Sequence, residues 1–168
     1  TRDVDLVIVP KEFIQQYALH LDQNQDISTA KKKQKFKLKG SVSLNKSVTE
    51  AKMVVEIPEL NLRKDYTFSG KKLDFEFEAK KLELWSPDNT KLYDVTFRFA
   101  DEELNDKIGF RTIETSGKDI LHNGEPVFLR GICIHEEIPE EARRAHSKKD
   151  AEREVRFMIS LFKTLIIL

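Results

Sequence analysis

Cysteine is all but missing from this chain: Cys133 is the single one in 168 residues. No intrachain disulfide and no multi-cysteine metal site can form, and the redox compartment stays open. Charge of one sign is also lacking. The 29 basic side chains are matched by 29 acidic ones, with an isoelectric point near 6.9, so the chain has no global electrostatic footprint of a nucleic-acid binder. Long apolar runs are absent too. Runs such as Leu165 to Leu168 stop at four residues, far short of the roughly 20 needed to span a bilayer as a helix, so no membrane partner is expected. The opening Thr1-Arg2-Asp3-Val4-Asp5 lacks the cationic head and apolar middle of a signal peptide. With no initiating Met, the chain is expected to be an excised piece. Its length suits one ordinary domain, or one small domain plus part of another.

What is present is alternation. Phe36, Leu38, Val42 and Leu44 fall on one face, while Lys35, Lys37, Lys39, Ser41 and Ser43 fall on the other. Gly40 takes an inward position, which points to a close approach or a bulge. Leu73, Phe75 and Phe77 alternate with Asp74, Glu76 and Glu78, and Val95, Phe97 and Phe99 with Asp94, Thr96 and Arg98. Period two implies one buried and one wet face. Further strand candidates are residues 4–9, 14–21, 53–57 and 108–113, the last after a turn-like stretch from Asp101 to Asp106. Roughly seven short strands in about 110 residues, with almost no helical period, is the pattern of an immunoglobulin-like sandwich. The Cys-Trp-Cys signature of antibody domains is missing, so strand count and alternation carry that expectation. The lysines from Lys31 to Lys39 read as a solvated strand face that guards against edge pairing. A polyanion patch is the rival, but no aromatics interleave on the charged face.

After about Thr115 the pattern changes. Ser116-Gly117-Lys118-Asp119 and Asn123-Gly124-Glu125-Pro126 are turn chemistries around the short apolar pieces Ile120-Leu121 and Val127-Phe128-Leu129, which predicts a small hairpin. Ser147 then precedes a segment in which Ala151, Val155, Met158, Ile159, Phe162 and Ile166 recur at spacings of three and four. Ser147 and Asp150 resemble a shortened capping box at the start of a helix. The polar face carries acids as well as bases, which favours packing on protein over a membrane surface.

Three stretches together resemble glycoside hydrolase family 2, the β-galactosidases, β-glucuronidases and β-mannosidases. The first is Leu84-Trp85-Ser86-Pro87 leading to Leu92-Tyr93, similar to a turn and strand of the family's middle sandwich. The second is Gly109-Phe110-Arg111, like the strand that closes that sandwich. The third runs from Ile120 through Asn123-Gly124-Glu125-Pro126 to Leu129-Arg130-Gly131 and His135-Glu136, like the hairpin and first strand that open the family's catalytic barrel. Arg2-Asp3-Val4-Asp5-Leu6 is similar to the join from a preceding sugar-binding domain. The likeness fades from Leu161 to Leu168, where the family continues differently.

The resemblance implies a linker at residues 1–8, an immunoglobulin-like β-sandwich at residues 9–114, and at residues 115–168 the truncated N-terminal part of a TIM-barrel catalytic domain with one helix. A complete barrel takes about 250 residues and the stretch after Thr112 offers only about 55, so the ring is not expected to close. The family's catalytic carboxylates sit on later barrel strands, so no catalytic residue is assigned here and the isolated chain is expected to be inactive. Glu136, Glu137, Glu140 and Glu141 cluster in one stretch without the second, opposed carboxylate that glycoside hydrolysis requires. His135 corresponds to a histidine that contacts the sugar in the intact family; a structural or surface role is its alternative.

Trp85 reads as a core or inter-domain anchor rather than a sugar platform. Arg111 and Arg130 are either buried in ion pairs or exposed. Cys133 reads as inert and buried. His20, His122 and His146 show no ligand spacing, and neither metal nor cofactor is assigned. The expected partner is the carbohydrate substrate of a parent glycosidase, with homo-oligomer contacts open. Competing readings are a stand-alone carbohydrate-binding sandwich and a protein-interaction domain that uses the apolar helix.

Overall fold

The computed structural model describes residues 4, 6, 8–129, 137–138, 141–145 and 147–165, the last five by backbone alone. Two compact units emerge, one formed by Val7–Phe128 and the other by Thr1–Leu6 with Leu129–Leu168.

The larger unit is built on a five-stranded antiparallel sheet. Strand β1 (Ile14–Leu21) pairs with β2 (Lys35–Ile57), which forms one very long hairpin with β3 (Leu62–Lys80). Strand β4 (Tyr93–Phe99) pairs with the far end of β2, and β5 (Glu102–Ile108) pairs with β4. Residues 4, 6, 8 and 9, expected to belong to a strand, lie in none. Ile14 to Leu21 forms its strand as expected.

The sheet curls because the β2–β3 hairpin is irregular in its middle, with register shifts between Ser43 and Val48 and between Val48 and Ala51. Inward residues of β2 are even-numbered before the break (Phe36, Leu38, Gly40, Val42, Leu44) and odd-numbered after it (Ala51, Met53, Val55, Ile57). A one-residue slip inverts every side chain, so a strand that turns a corner needs such an irregularity to keep its apolar set inside. The near halves of the hairpin join β1 in one layer, and the far halves join β4 and β5 in another. Strand β2 thereby holds two of the short strands expected, around residues 36–44 and 53–57, whereas in β3 only the stretch from Leu73 was expected and its first half was not. The layers share one core, with Tyr17 of β1 and Phe97 of β4 placing ring centroids 4.9 Å apart. This curled, mostly β architecture is consistent with a β-sandwich.

Gly40 makes the close approach expected of it. A β-carbon there would lie 2.3 Å from Phe75 Cζ and 2.8 Å from the Ala18 carbonyl oxygen. The lysine run meets its expectation only in part. Lys31, Lys32 and Lys33 are the last turn of a short helix, α1 (Ile27–Lys33), while Lys35, Lys37 and Lys39 lie on β2, which pairs with β3 at all three and with β1 from Leu38 onward, and Lys35 and Lys37 are exposed as a solvated face should be. Asp26 caps the helix by accepting from Ser28 N and Thr29 N, at 3.0 and 3.3 Å. The basic residues suit the negative end of its dipole. Seven residues are too few for a helical period to stand out.

Of the turn-like stretch from Asp101 to Asp106 only Asp101 lies in a turn. Ala100, at φ 50°, ends β4, and β5 starts at Glu102. Cross-strand pairs sustain this polar strand: Arg98 Nε donates to Glu103 at 2.9 Å, Thr96 Oγ1 to Asn105 Oδ1 at 2.7 Å, and Lys107 Nζ to Asp94 at 2.7 Å. Beyond Ile108 the ladder stops, so residues 109–112 connect rather than extend the sheet. The expected small hairpin is a three-stranded meander of β6 (Ile113–Ser116), β7 (Asp119–His122) and β8 (Glu125–Pro126), within the same compact unit as the large sheet.

In the smaller unit, β9 (Glu137–Ile138) pairs with β10 (Arg143–Arg144), followed by helix α2 (Lys148–Leu165). The capping box forms reciprocally: Asp150 N donates to Ser147 Oγ and Ser147 N to Asp150 Oδ2, each at 3.2 Å. Arg143 holds the same buried carboxylate with two bonds of 2.9 Å. On the helix's apolar stripe Val155 and Ile159 are about half exposed.

Candidate functional site

The stretches that stood out in the sequence meet at one place. Trp85 lies in the loop between β3 and β4, tied by its N–H to Phe110 O at 2.9 Å. The following turn closes on itself, with Ser86 N donating to Asn89 O at 2.8 Å and Asn89 N to Ser86 Oγ at 3.1 Å. Gly109 leaves room for the indole, because a β-carbon there would be 3.0 Å from Trp85 Cδ1. Phe110 is buried against Tyr93, whose hydroxyl accepts from Glu83 N at 2.9 Å. Burial pushes the Tyr93 phenol above its ordinary pKa.

Arg111 is exposed, its guanidinium 5.1 Å from the centre of the Trp85 ring, a cation–π distance. His122 of β7 meets the same indole edge-on, centroids 5.8 Å apart and planes at 86°. Trp85 is thus held between a strand connection and the meander. Its surroundings fit the anchor expected from the sequence.

Asn123 is the residue that sequence reasoning undervalued. It was legible as turn chemistry and does adopt a left-handed φ of 52° before Gly124, but it is also buried. Its Nδ2 donates to Trp85 O at 3.0 Å, its Oδ1 accepts from Thr112 N at 3.0 Å, and its N–H donates to Thr112 O at 3.1 Å. Lys31 Nζ of α1 reaches Asn123 O at 2.7 Å. One side chain and its backbone therefore join the Trp85 loop, the connection after β5, α1 and the meander. An Asn-Gly pair signals a turn; nothing local signals that its amide will be buried.

Beside this junction lies an open cleft of about 630 Å³, with Phe36, Leu82, Leu84 and Pro126 among its apolar lining and Lys31, Glu83, Asp88, His122 and Glu125 among its polar lining. Burial, then the charges of Arg111 and Lys31, hold the His122 imidazole below its ordinary pKa. Among the described residues no group of three or more His, Cys, Asp or Glu side chains is placed to hold a metal. His135, Arg130, Cys133, Glu136, Glu140 and His146 lie outside the described residues. Glu137 and Glu141 are exposed, and Glu141 accepts from Arg143 Nε at 2.6 Å. His20 directs Nδ1 to Leu21 O at 2.7 Å.

The family model described as glycosyl hydrolases family 2 matches residues 13–111, from the start of β1 through the Gly-Phe-Arg connection. The chain belongs to this family. A β-galactosidase of Leuconostoc mesenteroides is 28% identical over 149 residues, covering 80% of this chain and 14% of that enzyme. One from Arthrobacter sp. B7 is 27% identical over 115 residues, covering 67% and 11%. The chain thus spans only a small part of these relatives' length. Among solved structures, the Ruminococcus gnavus β-glucuronidase aligns with a TM-score of 0.53 at 22% identity, over 73% of this chain and 20% of its own. A β-glucuronidase of Dictyoglomus thermophilum gives 0.52 at 21% identity over 73% and 19%. These likenesses concern the fold, and they match the curled β architecture of this family 2 chain.

Proposed function

We propose that this chain is the scaffold region of a family 2 glycosidase of the β-galactosidase kind, which hydrolyses O-glycosidic bonds. Residues 9–114 form its immunoglobulin-like sandwich, residues 1–8 lead in from a sugar-binding domain, and residues 115–168 begin a TIM barrel. The observation that carries this reading is the convergence of Trp85, Gly109, Phe110, Arg111 and Asn123 on one junction. Residues that are scattered in sequence and meet only to clamp a loop serve positioning, not bond cleavage. In the whole enzyme the clamp sets the direction in which the chain leaves the sandwich for the barrel. There His135 contacts the sugar, and later strands supply the acid and the nucleophile, about 5 to 5.5 Å apart for a retaining mechanism.

Reading the gene on both sides of residues 1–168 tests this. The proposal expects a continuous frame that carries an Asn-Glu at a later strand position; flanking frames without any such acidic residue would overturn it. The rival reading, a free-standing carbohydrate-binding sandwich, predicts saturable heat when galactosides or glucuronides are titrated into the chain, whereas a scaffold predicts none.

A further inference from the structure

The junction holds a titratable group that scaffolding alone does not use. We propose that His122 is a proton-controlled latch: its neutral imidazole holds the three-stranded meander against Trp85, and protonation releases that contact. The inference does not depend on glycosidase chemistry.

Its first support is geometric. The edge-on contact between His122 and Trp85, at 5.8 Å and 86°, joins the meander to the loop before β4. His122 Nε2 is buried and has no hydrogen-bond partner. A neutral ring tolerates this with Nε2 as a bare lone pair, whereas a second ring proton would make it a buried, charged and unsatisfied donor.

Charge points the same way. Arg111 lies over the indole that His122 touches, and Lys31 from α1 is bonded to the carbonyl of the next residue, Asn123. An imidazolium would be a third cation in this space. Carboxylates are also present: Glu125 pairs with His122 across the meander, Glu114 lies on β6 with one oxygen buried and unbonded, and Glu83 and Asp88 line the cleft. None of them bonds the ring. Burial and the two cations prevail, holding the imidazole below its ordinary value of 6.5. The sign follows from this: the stabilising contact is fully present above pH 6.5 and is lost as pH falls through the lower folded value. The bonds of Asn123 keep one corner of the meander attached, while its strands are only two to four residues long, so local opening at His122 and not loss of the whole meander is the expected response.

Trp85 is the only tryptophan of the chain, which makes its fluorescence a direct readout. In the full 168-residue chain, emission followed from pH 8 to pH 5 should show a one-proton red shift with a midpoint below 6.5. His122→Phe, which keeps an aromatic edge against the indole, should abolish the transition, and so should His122→Gln. In the unaltered chain the His122 ring resonance in a proton NMR titration should share the midpoint, a check that needs no variant to fold. A transition that persists in either folded variant, a ring midpoint at or above 6.5, or no emission change across the range would overturn the latch.

Discussion

A β-carbon placed on Gly109 would come within 3.0 Å of Trp85 Cδ1 and 3.0 Å of Leu92 Cδ2. The indole occupies the space that this glycine's missing side chain leaves, so the identity of one residue depends on the position of the other. Gly109→Ala should destabilise the chain by about 1–3 kcal/mol, the usual cost of overpacking. Because the obstructing atoms are side chains that can move, the loss should be partial, read as a lower urea midpoint with a red-shifted Trp85 emission.

Gly40 offers a sharper case. There the methyl group would meet the backbone oxygen of Ala18 at 2.8 Å as well as the Phe75 ring at 2.3 Å, and backbone paired in a sheet cannot step aside. Gly40→Ala should therefore cost more than Gly109→Ala in the same denaturation assay, without the Trp85 emission change, since the clash is with Phe75 and Ala18 and not with the indole.

Asn123→Ala removes the partners of Trp85 O and Thr112 N. Each buried group left unsatisfied costs about 1–3 kcal/mol. The left-handed backbone at this position adds to the loss. Asn123→Asp keeps the acceptor for Thr112 N but loses the donor to Trp85 O, so it should fall between the parent and the alanine variant. Amide exchange at residues 112–123 would locate the opening at the junction.

Asp22 predicts acid sensitivity. Its carboxylate accepts from Asn24 N at 3.1 Å and lies 3.0 Å from Lys39 Nζ, and these contacts hold its pKa below the ordinary 3.8. Stability from the charged form is full above 3.8 and is lost as pH falls through the lower folded value. Asp22→Asn should lower stability at pH 7 and flatten the part of the stability profile below pH 3.8.

For α2 the test is helicity. Ser147→Ala removes the hydroxyl that caps Asp150 N, a change worth about 0.5–2 kcal/mol. Asp150→Asn additionally removes the charge that Arg143 grips with two nitrogens, so it should reduce helical ellipticity at 222 nm by more than the serine variant does.

The sequence alone determined what local chemistry can carry. Period-two alternation placed Val95, Phe97 and Phe99 in the core, Gly40 announced a close approach, and Ser147 with Asp150 announced a capped helix; each rests on neighbours at most a few residues apart. The tertiary structure decided the rest. Only pairing with β4 made a strand of the polar stretch from Glu102 to Asp106, because cross-strand partners, not its own propensity, satisfy it. Only packing of the meander against the Trp85 loop turned Asn123 from a turn residue into a buried clamp, and His122 into a neighbour of Trp85. The contacts of Asn123 and His122 with Trp85 join residues about 37 positions apart, and no local pattern encodes them, since burial and charge depend on what the folded chain brings alongside.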